Sequence, residues 1–268
     1  MVETRALSPH LGVEITGVDG ASDEATIGRC LEALKWRGVL LIRGLHLDDD
    51  GQIAFSRKLG NVVSLRGKEI FTVSLDPAKS RQAEYLKGTF NWHIDGTTDD
   101  IPVKATTLTA RYVAAVGGGT QFASTYVAYE NLPDAERKRY EDLRVVHSFE
   151  ASQRLVKPEP SDAEVSGWRQ VPTHEMSLVW KRRDGRCSLV IGATADHIVG
   201  MEPAQSRALL DEVLAWSTQE RFRYTHDWQV GDLVIWDNTG MLHRALPYDA
   251  SSERALGRTT IYGEEAWS

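Results

Sequence analysis

Short runs in which apolar and polar residues alternate, punctuated by turn residues, dominate the chain. A repeat of two marks strands with one buried face. Leu11-Gly12-Val13-Glu14-Ile15 and Phe71-Thr72-Val73-Ser74-Leu75 follow it, and 105–112 is rich in β-branched residues. Val39-Leu40-Leu41-Ile42 is apolar throughout and reads as a strand covered on both faces. The pattern predicts a strand over 174–180 paired with 187–191 across Arg183-Asp184-Gly185-Arg186. Gly117-Gly118-Gly119 reads as a turn, with a strand starting at Thr120. The last strands are expected over 231–236 and 258–262.

Fewer segments carry the helical period. Ser22 or Asp23 is placed to cap a helix to about Trp36, with Ile27, Cys30, Leu31 and Leu34 on one face and Gly38 at its end. Asp48, Asp49 and Asp50 open a second helix to Leu59, closed by Gly60. Acidic side chains satisfy the free N–H groups there, so the triple Asp is a helix start rather than a metal site. Helices are also predicted over 128–143, with Asn131-Leu132-Pro133 at its start, and over 203–217. The polar stretch 150–172, with Pro158, Pro160 and Pro172, is expected to be an irregular segment. Neither a repeat nor a linker interrupts the pattern. It predicts one 268-residue domain, mainly β with flanking helices, on a double-stranded β-helix (jelly-roll) core. Residues 128–172 are expected as a helical and loop insert over the active-site end.

Composition narrows the partners. With 38 acidic and 31 basic residues the net charge is −7, and no Lys/Arg block tracks phosphates, so nucleic acid is not expected. The densest basic run, Lys181-Arg182-Arg183, reads as a solvated hairpin tip. Two cysteines, Cys30 and Cys187, imply no disulfide framework, and Cys30 falls on an apolar helix face. No apolar run approaches 18 residues and no signal peptide is visible, so a cytoplasmic protein without a membrane partner is expected.

Candidate chemistry centres on Asn91-Trp92-His93-Ile94-Asp95. On an extended strand His93 and Asp95 would lie side by side on one face, as adjacent metal ligands need. His243, just after the 231–236 strand, offers a third ligand. Two histidines and a carboxylate on one side of an ion suit non-haem Fe(II). With eight histidines, His-X-Asp alone is a weak signal. Its surroundings strengthen it: Gly117-Gly118-Gly119-Thr120-Gln121-Phe122-Ala123-Ser124, Trp236-Asp237-Asn238, and Arg254 and Arg258 after His243.

As an ordered set spread over most of the chain, these pieces resemble the taurine dioxygenase/TfdA family of Fe(II)- and 2-oxoglutarate-dependent dioxygenases. The resemblance implies that His93, Asp95 and His243 bind Fe(II). It implies that Arg254 and Thr120 hold the far carboxylate of 2-oxoglutarate, and that Arg258 and Gly96 contact the substrate. The substrate would be a small molecule with a carboxylate or sulfonate. It would be oxidised with O2 while 2-oxoglutarate becomes succinate and CO2. A period of two puts 254, 256 and 258 on one strand face, so both arginines can reach one cavity. Homo-oligomers are common among such relatives. The sequence also departs from the pattern: 63–68 lacks the histidine of taurine-specific members, and Ile94 and Thr98 replace the usual Thr and Phe. Taurine is therefore not favoured, and Arg66 or Lys68 either binds an anion or is solvated. Trp92, Phe149 and Tyr85 are candidate walls. Two rival readings of the same residues are a zinc-dependent hydrolase and a non-catalytic jelly-roll binding protein.

Overall fold

Residues 2–65, 67–80 and 83–268 are described by a computed structural model of the chain. The chain begins with β1 (Glu3–Ala6), β2 (Val13–Thr16), α1 (Glu24–Arg37), β3 (Val39–Ile42) and α2 (Asp49–Leu59). β4 (Phe71–Val73), α3 (Ala83–Leu86) and a 3-10 turn (Lys87–Phe90) lead to β5 (Ala105–Tyr112) and β6 (Thr120–Ser124). Next come α4 (Thr125–Glu130), α5 (Asp134–Tyr140), β7 (Arg144–His147), α6 (Phe149–Arg154) and α7 (Asp162–Trp168). β8 (His174–Ser177), β9 (Val179–Lys181), β10 (Cys187–Leu189), β11 (Ala195–Ile198) and α8 (Pro203–Ser217) follow. β12 (Arg223–His226), β13 (Leu233–Asp237), β14 (Met241–Ala245) and β15 (Ala255–Ile261) complete it.

Among the described residues, seven strands pair in the order β1-β2-β3-β13-β5-β15-β4, and a smaller sheet runs β12-β6-β14. The two sheets face each other across a core, as a double-stranded β-helix requires. Leu108, Ala110, Val234, Trp236 and Leu256 of the large sheet meet Phe122 and Met241 of the small one. The large sheet's outer face is covered too: Leu40, Ile42, Leu233 and Ile235 pack on Ile27, Cys30 and Leu34 of α1 and Phe55 and Leu59 of α2. That double cover is why β3 is apolar at every position.

The helix starts follow the expected capping chemistry. Asp23 accepts from the Thr26 amide and Asp48 from the Gly51 amide. Elsewhere the expectations need correction. The helix over 128–143 is two helices, α4 and α5, separated at Asn131-Leu132-Pro133. Pro133 donates no hydrogen bond and drives the residue before it out of helical geometry. The 150–172 segment is not irregular, because it carries α6 and α7. Ser161 and Glu164 form a capping box on α7, the Glu164 carboxylate accepting from the Ser161 amide at 2.8 Å. Arg182 is not a solvated tip. It turns inward, donating to Thr239 Oγ1 at 2.6 Å and pairing with Glu265 at 3.2 Å, while Arg183 stays exposed. β1 escaped notice because all four of its residues are exposed and leave no alternation to read.

The capping box gives a local test of α7. Ser161→Ala is expected to cost about 1 kcal/mol and to speed amide exchange over 162–168 while leaving metal binding unchanged. Unchanged exchange there would mean that the box does not hold the helix.

Candidate active site

His93 is not on a strand. It forms an isolated antiparallel bridge with His243 of β14, its amide donating to the His243 carbonyl at 3.0 Å and the His243 amide returning the bond at 2.9 Å. Residues directly opposite in such a pair present their side chains together, and the two imidazole centroids lie 4.1 Å apart. Asp95 then enters a turn rather than continuing an extended run. Ligand atoms of His93, Asp95 and His243 all lie within 4.8 Å of one another, the only such His/Cys/Asp/Glu group among the described residues. The adjacency expected of the motif is therefore present, produced by a bridge and a turn instead of a strand.

Each ligand is oriented from behind. The Asn91 carbonyl lies 2.8 Å from His93 Nδ1 and accepts its proton, which leaves Nε2 bare for a metal. His243 Nδ1 meets the Met241 carbonyl at a longer 3.5 Å, and its Nε2 lies 3.7 Å from Asp95 Oδ2. That oxygen accepts from Thr106 Oγ1 at 3.1 Å and from Arg258 Nη2 at 2.7 Å. Thr106 in turn accepts from Asn238 Nδ2 at 2.9 Å. The Trp236-Asp237-Asn238 motif thus supplies the third layer behind Asp95, and Trp236 packs 4.8 Å from the His243 ring.

Burial and charge set the protonation states. Burial pushes His243 down to about 3 and lowers His93 as well, so both imidazoles are neutral at pH 7. For Asp95 burial pushes upward, but the Arg258 guanidinium and the two histidines outweigh it and hold the carboxyl well below the usual range. Neutral imidazoles and an ionised carboxylate are the donor forms that a divalent metal needs.

The two histidines line a cavity with Thr120, Arg254 and Arg258. Sheet register explains the convergence: β6 pairs with β14 so that Phe122 faces His243 and Thr120 faces Ala245. Leu256 lies in the core between the sheets and Arg258 pairs across from Leu108 on the same face. Gly96 does not line this cavity. With φ +82 and the Val103 amide 2.9 Å from where a Cβ would sit, it shapes the turn after Asp95. None of the candidate walls Trp92, Tyr85 and Phe149 lines it either. Trp92 is core packing, and Tyr85 packs against Phe149 with centroids 6.1 Å apart and planes tilted by 44°. The walls that sequence reasoning missed are Leu86, Phe90 and Tyr248. No residue of 128–172 reaches the cavity; α6 instead backs the 83–90 segment through that aromatic pair. Lys68 is exposed and does not line it, and Arg66 lies outside the described residues.

Comparison with known proteins decides the family. The model for "Taurine catabolism dioxygenase TauD, TfdA family" matches residues 3–260. The chain belongs to this family. It is 33% identical to an alpha-ketoglutarate-dependent 2,4-dichlorophenoxyacetate dioxygenase of Burkholderia sp. (strain RASC), over 94% of this chain and 90% of that protein. It is 32% identical to an (S)-phenoxypropionate/alpha-ketoglutarate-dioxygenase of Sphingobium herbicidovorans, over 97% of this chain and 94% of that one. Among solved structures, AAD-2 in complex with Mn(II) and N-oxalylglycine superposes with a TM-score of 0.87 at 29% identity, covering 100% of both chains. This member of the TauD/TfdA family is an Fe(II)- and 2-oxoglutarate-dependent dioxygenase. The hydrolase and binding-protein readings find no support: no carboxylate lines the cavity to serve as a general base, and the ligand set is intact. No helix among the described residues is long and apolar enough to cross a membrane.

The protonation states predict how metal enters. Because both imidazoles are already neutral and Asp95 is ionised, metal uptake at pH 7 is expected to release less than about one proton. Affinity should fall as the pH drops toward the lowered histidine range. Calorimetry in buffers of different ionisation enthalpy checks this, and release of two protons at pH 7 would contradict it.

Proposed function

We propose that His93, Asp95 and His243 hold Fe(II), that Arg254 and Thr120 hold the far carboxylate of 2-oxoglutarate, and that the substrate is a small anion with an apolar body. Arg254 carries the reading. Arg254 is 2% exposed, lines the same cavity as the two histidines, and makes no ion pair with a carboxylate among the described residues. A buried cation without a counter-charge is costly, and a dicarboxylate ligand supplies the missing charge. Arg254 Nε donates to the Gly118 carbonyl at 3.0 Å and the Tyr248 ring lies 4.5 Å from the guanidinium carbon. Those contacts fix the plane of the fork, which suits a bidentate carboxylate.

When bound, Fe(II), 2-oxoglutarate and O2 supply the oxidation: one oxygen atom enters succinate as CO2 leaves, and the other enters the substrate. The protein's own part is positional. Thr106 and Arg258 hold Asp95, the Asn91 carbonyl holds His93, and the apolar walls keep water from the reacting carbon.

The rest of the cavity defines the substrate class. Val73, Leu75, Leu86, Phe90 and Tyr248 offer an apolar wall, and Arg258 brings one cation. Arg258 Nη2 is engaged by Asp95, but its Nε–H has no partner. The substrates in the names of the two relatives above each join an aromatic ring to a carboxylate, and this wall fits that combination. A sulfonate would serve Arg258 as well as a carboxylate. Taurine, with a charged ammonium and no apolar body, fits poorly.

Succinate release by anaerobically iron-loaded protein, given 2-oxoglutarate and then O2 with a panel of aryloxyalkanoates, alkyl sulfonates and taurine, tests this reading. His93→Ala is expected to abolish iron-dependent turnover. Arg254→Ala should raise the KM for 2-oxoglutarate about 10- to 100-fold, as loss of a charge-assisted pair implies. Gly118→Ala should act in the same direction, because its Cβ would lie 2.9 Å from Arg254 Nε at a φ of +72. Arg258→Ala should raise the substrate KM. Absence of 2-oxoglutarate consumption with every panel member, together with tightly held zinc, would sink the proposal.

A further inference from the structure

We infer that Trp228 is a positioning residue for the cosubstrate: it fixes the Thr120 hydroxyl so that its proton faces the far carboxylate of 2-oxoglutarate. The inference rests on the assignment of Thr120 and Arg254 proposed above. Trp228 Nε1 lies 3.0 Å from Thr120 Oγ1. Indole N–H is a donor only, whereas a hydroxyl carries one proton and two acceptor lone pairs. Thr120 must therefore accept from Trp228, and its own proton is left for another partner. Thr120 is 5% exposed and lines the cavity with Arg254. A carboxylate, which only accepts, is the complement of that proton and of the guanidinium beside it.

Trp228 is itself held in place. The His226 ring meets it edge-on, with centroids 4.5 Å apart and planes at 87°. His226 lies opposite Thr120 in the β12–β6 register and is fully buried. Its Nε2 is 3.2 Å from Asp232 Oδ2, and its Nδ1 is 3.2 Å from Tyr224 Oη. Arg43 Nη1 and the Gln229 amide also donate to Asp232 Oδ2, at 2.6 and 2.9 Å. The buried Asp232 thus ties Arg43, just after β3, to the turn that carries Trp228, with His226 of β12 beside it. Trp228 and Arg254 also share the wall of a second cavity. No other role in the chemistry is left for this network: it touches no metal ligand.

The test separates this inference from the reading beneath it. 2-Oxoglutarate affinity is measured by anaerobic calorimetry on the Fe(II)-loaded full chain for Trp228→Phe, Thr120→Val, Thr120→Ser and the Trp228→Phe/Thr120→Val double variant. Trp228→Phe keeps an aromatic ring against His226 and removes the N–H together with part of the indole. It is expected to weaken 2-oxoglutarate binding about 5- to 10-fold, the effect of one hydrogen bond. Fe(II) affinity and kcat at saturating 2-oxoglutarate should stay within about 2-fold. Thr120→Ser should bind nearly as the parent does, and the double variant no worse than Thr120→Val, since the two groups act through one hydroxyl. Trp228→Tyr is the second ring-preserving variant if thermal melting finds Trp228→Phe unfolded. Unchanged affinity in the ring-preserving variant, or losses that multiply in the double variant, would overturn the role of Trp228. Unchanged affinity in Thr120→Val would instead overturn the assignment of Thr120.

Discussion

The pair of backbone hydrogen bonds between His93 and His243 is the constraint on which the site depends. It joins a segment with no regular structure to a strand in the small sheet, and it does so at the two residues whose rings must converge. Side-chain packing alone would leave the 91–95 segment free to slide along β14. A reciprocal bond pair fixes register, and a shift of one residue would turn the His93 ring to the opposite side. Asp95 is then brought in by the following turn, whose sharpness rests on Gly96 lying against the Pro102-Val103 backbone. The Trp267 indole, donating to the Asp99 carbonyl at 3.1 Å, holds the far side of the same turn.

Charge balance distinguishes the two arginines of the cavity, Arg254 buried and Arg258 half-buried. Arg258 has its counter-ion inside the protein, in a carboxylate that is also a metal ligand. Arg254 has a carbonyl and an aromatic face but no anion among the described residues. Under the proposed assignment, the first arrangement would couple substrate contact to the metal shell, because movement of Arg258 toward an incoming anion would loosen its hold on Asp95. The second would leave a charge deficit that the proposed dicarboxylate relieves, so that ligand and fold would stabilise one another through mass action. A hydrophobic residue at 254 would pack at lower cost. The cation persists where its charge is used.

Much of this was legible along the chain because it is local. Capping residues, the repeat of two in the strands and the order of the motif residues are properties of neighbours in sequence, and they point to α1, α2, α8, most of the core strands and the His–Asp–His set. The strand expected over 174–180 is instead β8, paired with β7, and β9, paired with β10. The errors have local causes as well. Pro158 and Pro160 outweighed Ser161 and Glu164, although the capping-box spacing was there to be read. Pro133 does start a helix, α5, but a separate α4 precedes it. Arg182 looked solvated because its partners, Thr239 and Glu265, are distant in sequence. The walls Phe90 and Tyr248 and the network behind Trp228 could not be found this way, since which aromatic faces a cavity depends on tertiary register rather than on its neighbours.

That division follows the division of labour in the molecule. Of the residues assigned to metal and cosubstrate, Thr120 and His243 sit on strands, with His93 bridged to one and Arg254 directly before another. Sheet hydrogen bonding thereby fixes their mutual geometry. Most of the apolar walls assigned to the substrate, Leu75, Leu86, Phe90 and Tyr248, lie on the short helices and loops at 75–90 and 246–254. Such segments can change length and side chain without disturbing the sheet register, whereas a change at β6 or β14 would move the metal shell itself. Oxidation chemistry is therefore tied to the part of the structure that varies least freely. Choice of substrate is left to the part that can be altered, which is how one metal centre can serve relatives named for different substrates.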